Sequence, residues 1–452
     1  MIYSNNVTLD KYFLPAIVSL CLVSTVMAQT PSATYFDFQG QYLVSVSDAD
    51  MVASAYVDGS LGPVEGTDAL SIIDLNQNPN DYKAVEITTS NSVTGPPSVL
   101  AITPDGHYAI VIETRGQRPI NKDNPQISDL PEGNSITVID LKNPKKPILS
   151  QKIKGFNHPT SISINATGTV VAIAFRPLEI LKQSPLVLYT FSNGKLSNPV
   201  TPEIPNWKLG DNLRHVEFHP ITNVIAFLNA SDPSIAFAKA ETSKGSIELL
   251  PYGKKVPVEK APYVAKFTPN GKYIAINAIY ADGDIIDGGL GAPYGSVSLV
   301  ALDSKRDRNG DPVHLLSARA TTGVMPEGLT ISPNGAYIVT SNLERSSTAI
   351  EDPKQGFFSS LTLISLDQEN GRLKTEGTFA VDAVLPEATI FDNSSKFLAM
   401  TAFDHYDPSK KGGSIVFWRI VKDFYNPDRI ELVRTNYEVP VTRGAHTIGI
   451  IR

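Results

Sequence analysis

The chain has 452 residues, a formal net charge of −7 and a pI near 5.6. No Lys/Arg cluster rises above a solvated surface, which argues against nucleic acid as a partner and leaves a local patch for a small anion open. A lone cysteine excludes a disulfide framework and a thiolate metal centre.

In chain order, the first element is the apolar run FLPAIVSLCLVSTVMAQT from Phe13. It follows Lys11 and ends in Val26-Met27-Ala28, a small-residue cleavage pattern. This predicts a secretory signal over 1–28, ahead of an uncleaved anchor or a buried segment. Leu20, before Cys21, is too large for a lipoprotein cleavage box. Removal after Ala28 leaves a cysteine-free domain over 29–452, with no stable membrane insertion, in a secreted or periplasmic setting.

From there one phrase recurs: PSVLAITPDGHYAIVIE (97–113), PYVAKFTPNGKYIAINA (262–278) and PEGLTISPNGAYIVTSN (326–342). Its first position falls at Pro97, Pro159, Leu213, Pro262, Pro326 and Pro386, with a fainter copy at Pro31. Nine residues on stands Gly40, Gly106, Gly168, Thr222, Gly271, Gly335 or Ser395. Eleven on stands Tyr42, Tyr108, Val170, Val224, Tyr273, Tyr337 or Phe397. Each copy reads as a hairpin of two alternating strands around an Asp-Gly or Asn-Gly turn. A third run follows (71–75, 135–141, 245–250, 295–303, 359–367 and 413–420), and a fourth comes after turns such as TFSNGKLS (190–197) and DQENGRLK (367–374). Four antiparallel strands every 49 to 66 residues predict an all-β, seven-bladed β-propeller, with eight blades as the alternative count and a large sandwich as the alternative architecture. The closing stretch RGAHTIGIIR (443–452) matches an innermost strand without the rest of a blade. It competes with Pro31–Phe36 for closing the ring.

The phrase SPNGAYIVTSN, the NGKL and NGRL turns, and NLRHVEFHPITNVIAFLNA (212–230) resemble the YVTN-type repeats of the lactonase-like family of 6-phosphogluconolactonase and carboxymuconate-lactonizing enzyme. The resemblance implies seven blades and an active site that includes Arg214, which with His215 matches the family's arginine-histidine pair. Ala230 stands where that family carries a glutamate, and Asn165-Ala166 does not supply the histidine often found in the preceding blade. Function must therefore be argued from the site.

The residue after each anchor reads Ser98, Thr160, Arg214, Tyr263, Glu327 and Glu387, with His446 in the closing strand. These positions predict a polar ring at one channel mouth, beside long insertions at 114–134, 279–294, 343–358 and 403–412. Glu327, Glu387 and His446 are the candidate catalytic acid-base groups. Arg214, Tyr263, Thr160 and Ser98 are the candidate ligand contacts. The reading is an exported propeller that binds a small polar or anionic ligand, with lactone hydrolysis as the chemistry open to it. The alternative is a non-catalytic scaffold presenting its loops to a protein or glycan, and a quinoprotein-like dehydrogenase subunit is a weaker third. No cofactor is expected. YADGDIIDGG (280–289) gathers Asp282, Asp284 and Asp287, but its spacing fails the calcium-loop template, so a solvated loop suits it better than Ca²⁺. His405, beside Asp404, is a candidate for the site or the surface. The sequons at Asn165, Asn229 and Asn393 matter only in a glycosylating secretory pathway.

Overall fold

A computed structural model describes residues 36–452, apart from 96, 177–183, 209, 244–245, 280–293, 349–355, 357 and 408. The signal segment, Pro31 and the Asp282–Asp287 loop lie outside the described residues. Residues Phe38–Arg452 form one compact unit.

That unit is a seven-bladed β-propeller of seven small antiparallel sheets. Blade 1 joins Tyr42–Ser47, Ala69–Asp74 and Ala84–Thr88 to an innermost strand from the other end of the chain, Ala445–Ile451. Blades 2 to 7 begin with the inner strands Leu100–Ile102, Pro159–Ile164, Leu213–Phe218, Pro262–Phe267, Pro326–Ile331 and Thr389–Phe391. These inner strands contact one another in cyclic order, the last meeting Ala445–Ile451 and that strand meeting blade 2. Closure therefore uses the C-terminal strand, in register with Tyr42–Ser47 from Tyr42↔Ile451 onward. Arg452 fastens the seam from the other side through Asn393 Oδ1 and the Phe391 carbonyl.

The repeated phrase has a local cause. Thr103, Thr268 and Ser332 each donate a hydroxyl hydrogen to the turn residue Asp105, Asn270 or Asn334. The same oxygens accept the backbone N–H of Tyr108, Tyr273 and Tyr337 at 3.0, 3.1 and 2.9 Å. The glycine between them must be left-handed, with φ of 71° at Gly106 and 69° at Gly271 and Gly335. The tyrosine then crosses to the next blade. A Cβ on Gly194, in the outer turn of blade 3, would stand 2.5 Å from the Tyr108 ring. One on Gly371, in the outer turn of blade 6, would stand 2.7 Å from the Tyr273 ring. Ser150 and Ser317 donate to the carbonyls of those two glycines at 3.0 and 2.8 Å. The inner-hairpin tyrosine and the outer NG turn are thus two halves of one inter-blade contact.

One assignment is corrected. Residues 245–250 are not the third strand of blade 4: Ser234–Ser243 fills that place and Ser246–Pro251 is the outer strand. The Gly-Ser pair at 245–246 imitates the pairs that open third strands at 295 and 413. The true strand, SIAFAKAETS, alternates bulky residues with alanines and so carries a weaker pattern.

Candidate functional site

The mouth is built where the inner strands begin. His158, Ala261, Met325 and Leu385, each preceding an anchor proline, have φ of 52°, 49°, 56° and 47°. Left-handed backbone is costly for residues with a Cβ, and more so before proline. The strain recurs in four blades at one equivalent position. Immediately after it the ladder slips. Thr160, Arg214, Glu327 and His446 each fall within a register shift of the inner strand, and Tyr263 shares one with Val264. A bulge frees a residue from the in-out alternation and re-aims its side chain. Ser98 and Glu387 precede the paired part of their shorter inner strands.

On the side of blades 4 to 6, the Tyr263 hydroxyl donates to Glu327 Oε1 at 2.8 Å. The Arg214 guanidinium lies over the Tyr263 ring, 5.3 Å from its centroid. Burial pushes the Glu327 carboxyl up to about 7, although the Tyr263 hydrogen bond and Arg214 hold it down. Glu387 is 0% exposed and neither carboxylate oxygen has a partner among the described residues. Burial raises its carboxyl well above the usual range, and the charges of Glu327 and Asp48 add to that.

On the side of blades 2 and 3, Arg115 and Arg176 join Arg214. Burial, then Arg214 and Arg115, lower the Arg176 guanidinium pKa. His158 is driven down to about 3 by burial, then by Arg176, Arg115 and Arg214. Glu132 answers part of this charge, 3.8 Å from Arg115 and 3.4 Å from His158. The Arg214 Nε and the Thr160 hydroxyl are buried without a hydrogen-bond partner among the described residues. The mouth is thus polarised, with guanidinium groups on one arc and buried carboxyls on the other.

Two predicted residues are engaged elsewhere. Ser98 Oγ lies 3.1 Å from His215 Nδ1, which Ser161 also reaches at 3.1 Å. On its other side His215 Nε2 is 3.5 Å from Glu217, itself paired with Lys266 at 3.1 Å. His446 bonds Asn91 through Nε2 at 2.7 Å and meets Thr447 through Nδ1 at 3.3 Å, and burial lowers it to about 3. Neutral and fully engaged, it is poorly placed to exchange protons. His405 faces Glu438 of the outermost strand of blade 7, 3.9 Å away. Asn165 and Asn229, at two of the sequons, are buried.

Blade 1 carries a further long insertion between its second and third strands. Its connection 48–68 packs Met51, Ala53, Ala55 and Leu61 with Val93, Leu130, Leu343, Val384, Leu385 and Phe403 as a second small core. It also brings Asp48, Asp50 and Asp68 together, and Tyr56, whose hydroxyl donates to the Val93 carbonyl at 2.9 Å. The repeat register held a signal for part of this. Asp48 and Arg176 occupy the same place, directly after the second strand of their blades. Ala230 occupies it in blade 4. Two surface clefts lie at the opposite, turn end, lined by residues such as Tyr42 and Asp74, or His219 and Gly271.

Comparison with solved structures places this architecture. A periplasmic gluconolactonase of Pseudomonas aeruginosa matches 91% of this chain and 99% of its own at 14% identity, with a TM-score of 0.58. This chain shares that protein's fold. A candidate 6-phosphogluconolactonase of Bacteroides uniformis aligns over 92% of this chain and 100% of its own, at 14% identity and a TM-score of 0.58. The fold is shared more widely: a hypothetical selenium-binding protein of Sulfolobus tokodaii matches 91% of this chain and 94% of its own, at 10% identity and a TM-score of 0.56. No protein-family model matches the sequence, and no curated protein does. Among the described residues no helix is long and apolar enough to cross a membrane.

Proposed function

We propose that this protein is an exported, lactonase-like propeller that binds a small anionic ligand of the sugar-acid or lactone type at its mouth and hydrolyses the lactone. The observation that carries the reading is the unmatched basic arc. Arg115, Arg176 and Arg214 crowd one another, Glu132 partners only part of them, and the Arg214 Nε is buried without a hydrogen-bond partner among the described residues. Buried polar groups are ordinarily paired, so such a group at a cavity mouth suits a ligand oxygen. Arg214 would hold the carboxylate or polarise the ring carbonyl, and the Thr160 hydroxyl would add a neutral contact.

Glu327 supplies the chemistry. A carboxyl raised to about 7 is matched to proton transfer near neutrality. It would take a proton from water as that water's oxygen bonds to the lactone carbonyl carbon. The ring C–O bond then breaks and its oxygen is protonated, giving the hydroxy acid. Tyr263 orients the base through its 2.8 Å hydrogen bond. The gluconolactonase and the candidate 6-phosphogluconolactonase on the same frame support the substrate class.

The test is calorimetry with gluconate and 6-phosphogluconate, alongside proton release from their δ-lactones. Arg214→Gln should weaken binding by roughly 1.5–3 kcal/mol, the range for hydrogen bonds to charged groups. Glu327→Gln should keep affinity and lose turnover. If neither compound binds and both variants retain their partners while trimming 343–358 abolishes capture, the molecule is a scaffold.

A further inference from the structure

We propose that Asp48, Asp50 and Asp68, in the connection of blade 1, form a site for a hard divalent cation, Ca²⁺ in preference to Mg²⁺, independent of whatever the basic arc binds. The strand pairing of blade 1 ends at Ser47↔Ala69, so Asp48 and Asp68 are the next residues across the same ladder. Like charges directly opposite one another are destabilising, and nothing in a β-hairpin calls for them. Both residues are buried, at 1% and 6% exposure, while Asp50 is half-buried and gives the cluster an opening to solvent. One carboxylate oxygen from each of the three lies within 4.8 Å of the others. Oxygens across a Ca²⁺ ion at its usual bond length are about 4.6–5.2 Å apart, so donors this close can share one ion, and a set of three carboxylates suits Ca²⁺ better than Mg²⁺, which keeps several waters and takes one or two carboxylates. The donors are all oxygen, which suits a hard ion.

Among the described residues no cation pairs directly with these carboxylates, although the charge of Arg118 offsets part of the burial that raises Asp50. Arg118 sends its guanidinium to the carbonyls of Asp50 and Gly62, at 2.8 and 3.0 Å, and not to a carboxylate. Arg443 is taken by Glu65 and the Pro63 carbonyl. The carboxylates accept backbone N–H groups from Ala49, Asp50, Asn91, Val93 and Arg118, each of which leaves a lone pair free.

Glu387 points to a ligand independently. It is fully buried, and neither of its oxygens has a hydrogen-bond partner among the described residues. It comes from blade 7, next to blade 1 in the ring. Leu385, two residues before it, packs in the same small core as Met51, directly after Asp50. Burial raises its carboxyl most, then the charge of Glu327 and then that of Asp48. A fourth carboxyl, fully buried, without a hydrogen-bond partner among the described residues and near enough to feel the charge of Asp48, adds to the negative charge a cation would balance.

The test is calorimetric titration of the chelator-treated full chain with CaCl₂ and, separately, MgCl₂. The expected result is one Ca²⁺ site per chain, with Mg²⁺ weaker, and a rise in Tm on adding Ca²⁺. Asp68→Asn should lower Ca²⁺ affinity by at least about tenfold. Asp50→Asn, at the half-buried member, should do the same in a chain whose Tm without metal matches the parent. A triple Asp282→Asn, Asp284→Asn, Asp287→Asn variant should bind as the parent does. Absence of Ca²⁺ binding to roughly 10 mM, beyond the weakest extracellular sites, would overturn the proposal. So would binding lost in the triple variant and kept in Asp50→Asn and Asp68→Asn. Ligand binding at Arg214 is measured separately, so either reading can fail alone.

Discussion

Glu327 shows how a single residue can oppose the fold that holds it. Its carboxyl is raised from 4.5 to about 7, chiefly by burial. The folded state therefore binds its proton more tightly than the unfolded chain does. The stability this contributes is complete below pH 4.5 and is lost as pH rises to about 7. Glutamine removes the titration. Glu327→Gln should thus match the parent in urea unfolding near pH 4.5, yet exceed it at pH 8 by as much as about 3 kcal/mol. The same substitution should abolish turnover. In the parent, turnover should fall as pH drops through about 7, because the base is then protonated. A variant no more stable at pH 8 than the parent would show that the carboxylate is already compensated in the free protein.

At the scale of the element, the contact between inner tyrosine and outer turn makes a sharp prediction. Gly194 and Gly310 are both left-handed, with φ of 75° and 84°. Alanine at either position meets a backbone cost of roughly 1–2 kcal/mol. Only Gly194 also faces the Tyr108 ring and the Ser150 hydroxyl, each 2.5 Å from the added Cβ, whereas Gly310 has nothing within 4 Å. Gly194→Ala should therefore destabilise by about 1–3 kcal/mol more than Gly310→Ala, the range for overpacking. Equal losses in denaturant unfolding would remove the steric part of the contact. Much of this scale was legible in the sequence, because turn glycines and alternating runs have local causes. What escaped is what depends on a neighbour. The bulges at Thr160, Arg214 and Glu327 are set by pairing and strained backbone, and neither leaves a trace in residue type. Asp48 and Asp68 lie twenty residues apart and become neighbours only across a ladder. His446 looked like an acid-base group until Asn91 and Thr447 were seen to claim both ring nitrogens.

For the whole molecule, closure rests on the strand Ala445–Ile451. It is joined to Tyr42–Ser47 and braced by Arg443, which donates to Glu65 at 3.1 Å and to the Pro63 carbonyl at 2.7 Å. Removing 443–452 would leave Tyr42–Ser47 as an open edge facing the channel. The truncated chain should melt at a lower temperature and over a broader range, since the ring no longer unfolds as one body. Arg443→Met should lower Tm by less, with the transition still sharp. If the truncated chain melts as the parent does, another segment must supply the inner strand. The cation proposal belongs to this scale as well, because its carboxylates sit beside the seam, where Asp48 N–H donates to the Gly444 carbonyl at 3.0 Å.

The bulges at the heads of five of the seven inner strands separate the groups at the mouth from the ladders that hold the propeller up. A side chain there is released from the ladder, so exchanging it need not disturb the pairing of the strands or the hairpin turns. The mouth can then change one group at a time, blade by blade, without re-registering a sheet. Descent in such a lineage would conserve the frame while substrates diverge quickly. Overall resemblance would keep reporting kinship long after it stopped reporting chemistry. Two propellers of this kind are better compared by the handful of residues at their bulges and just past their second strands than by their full length.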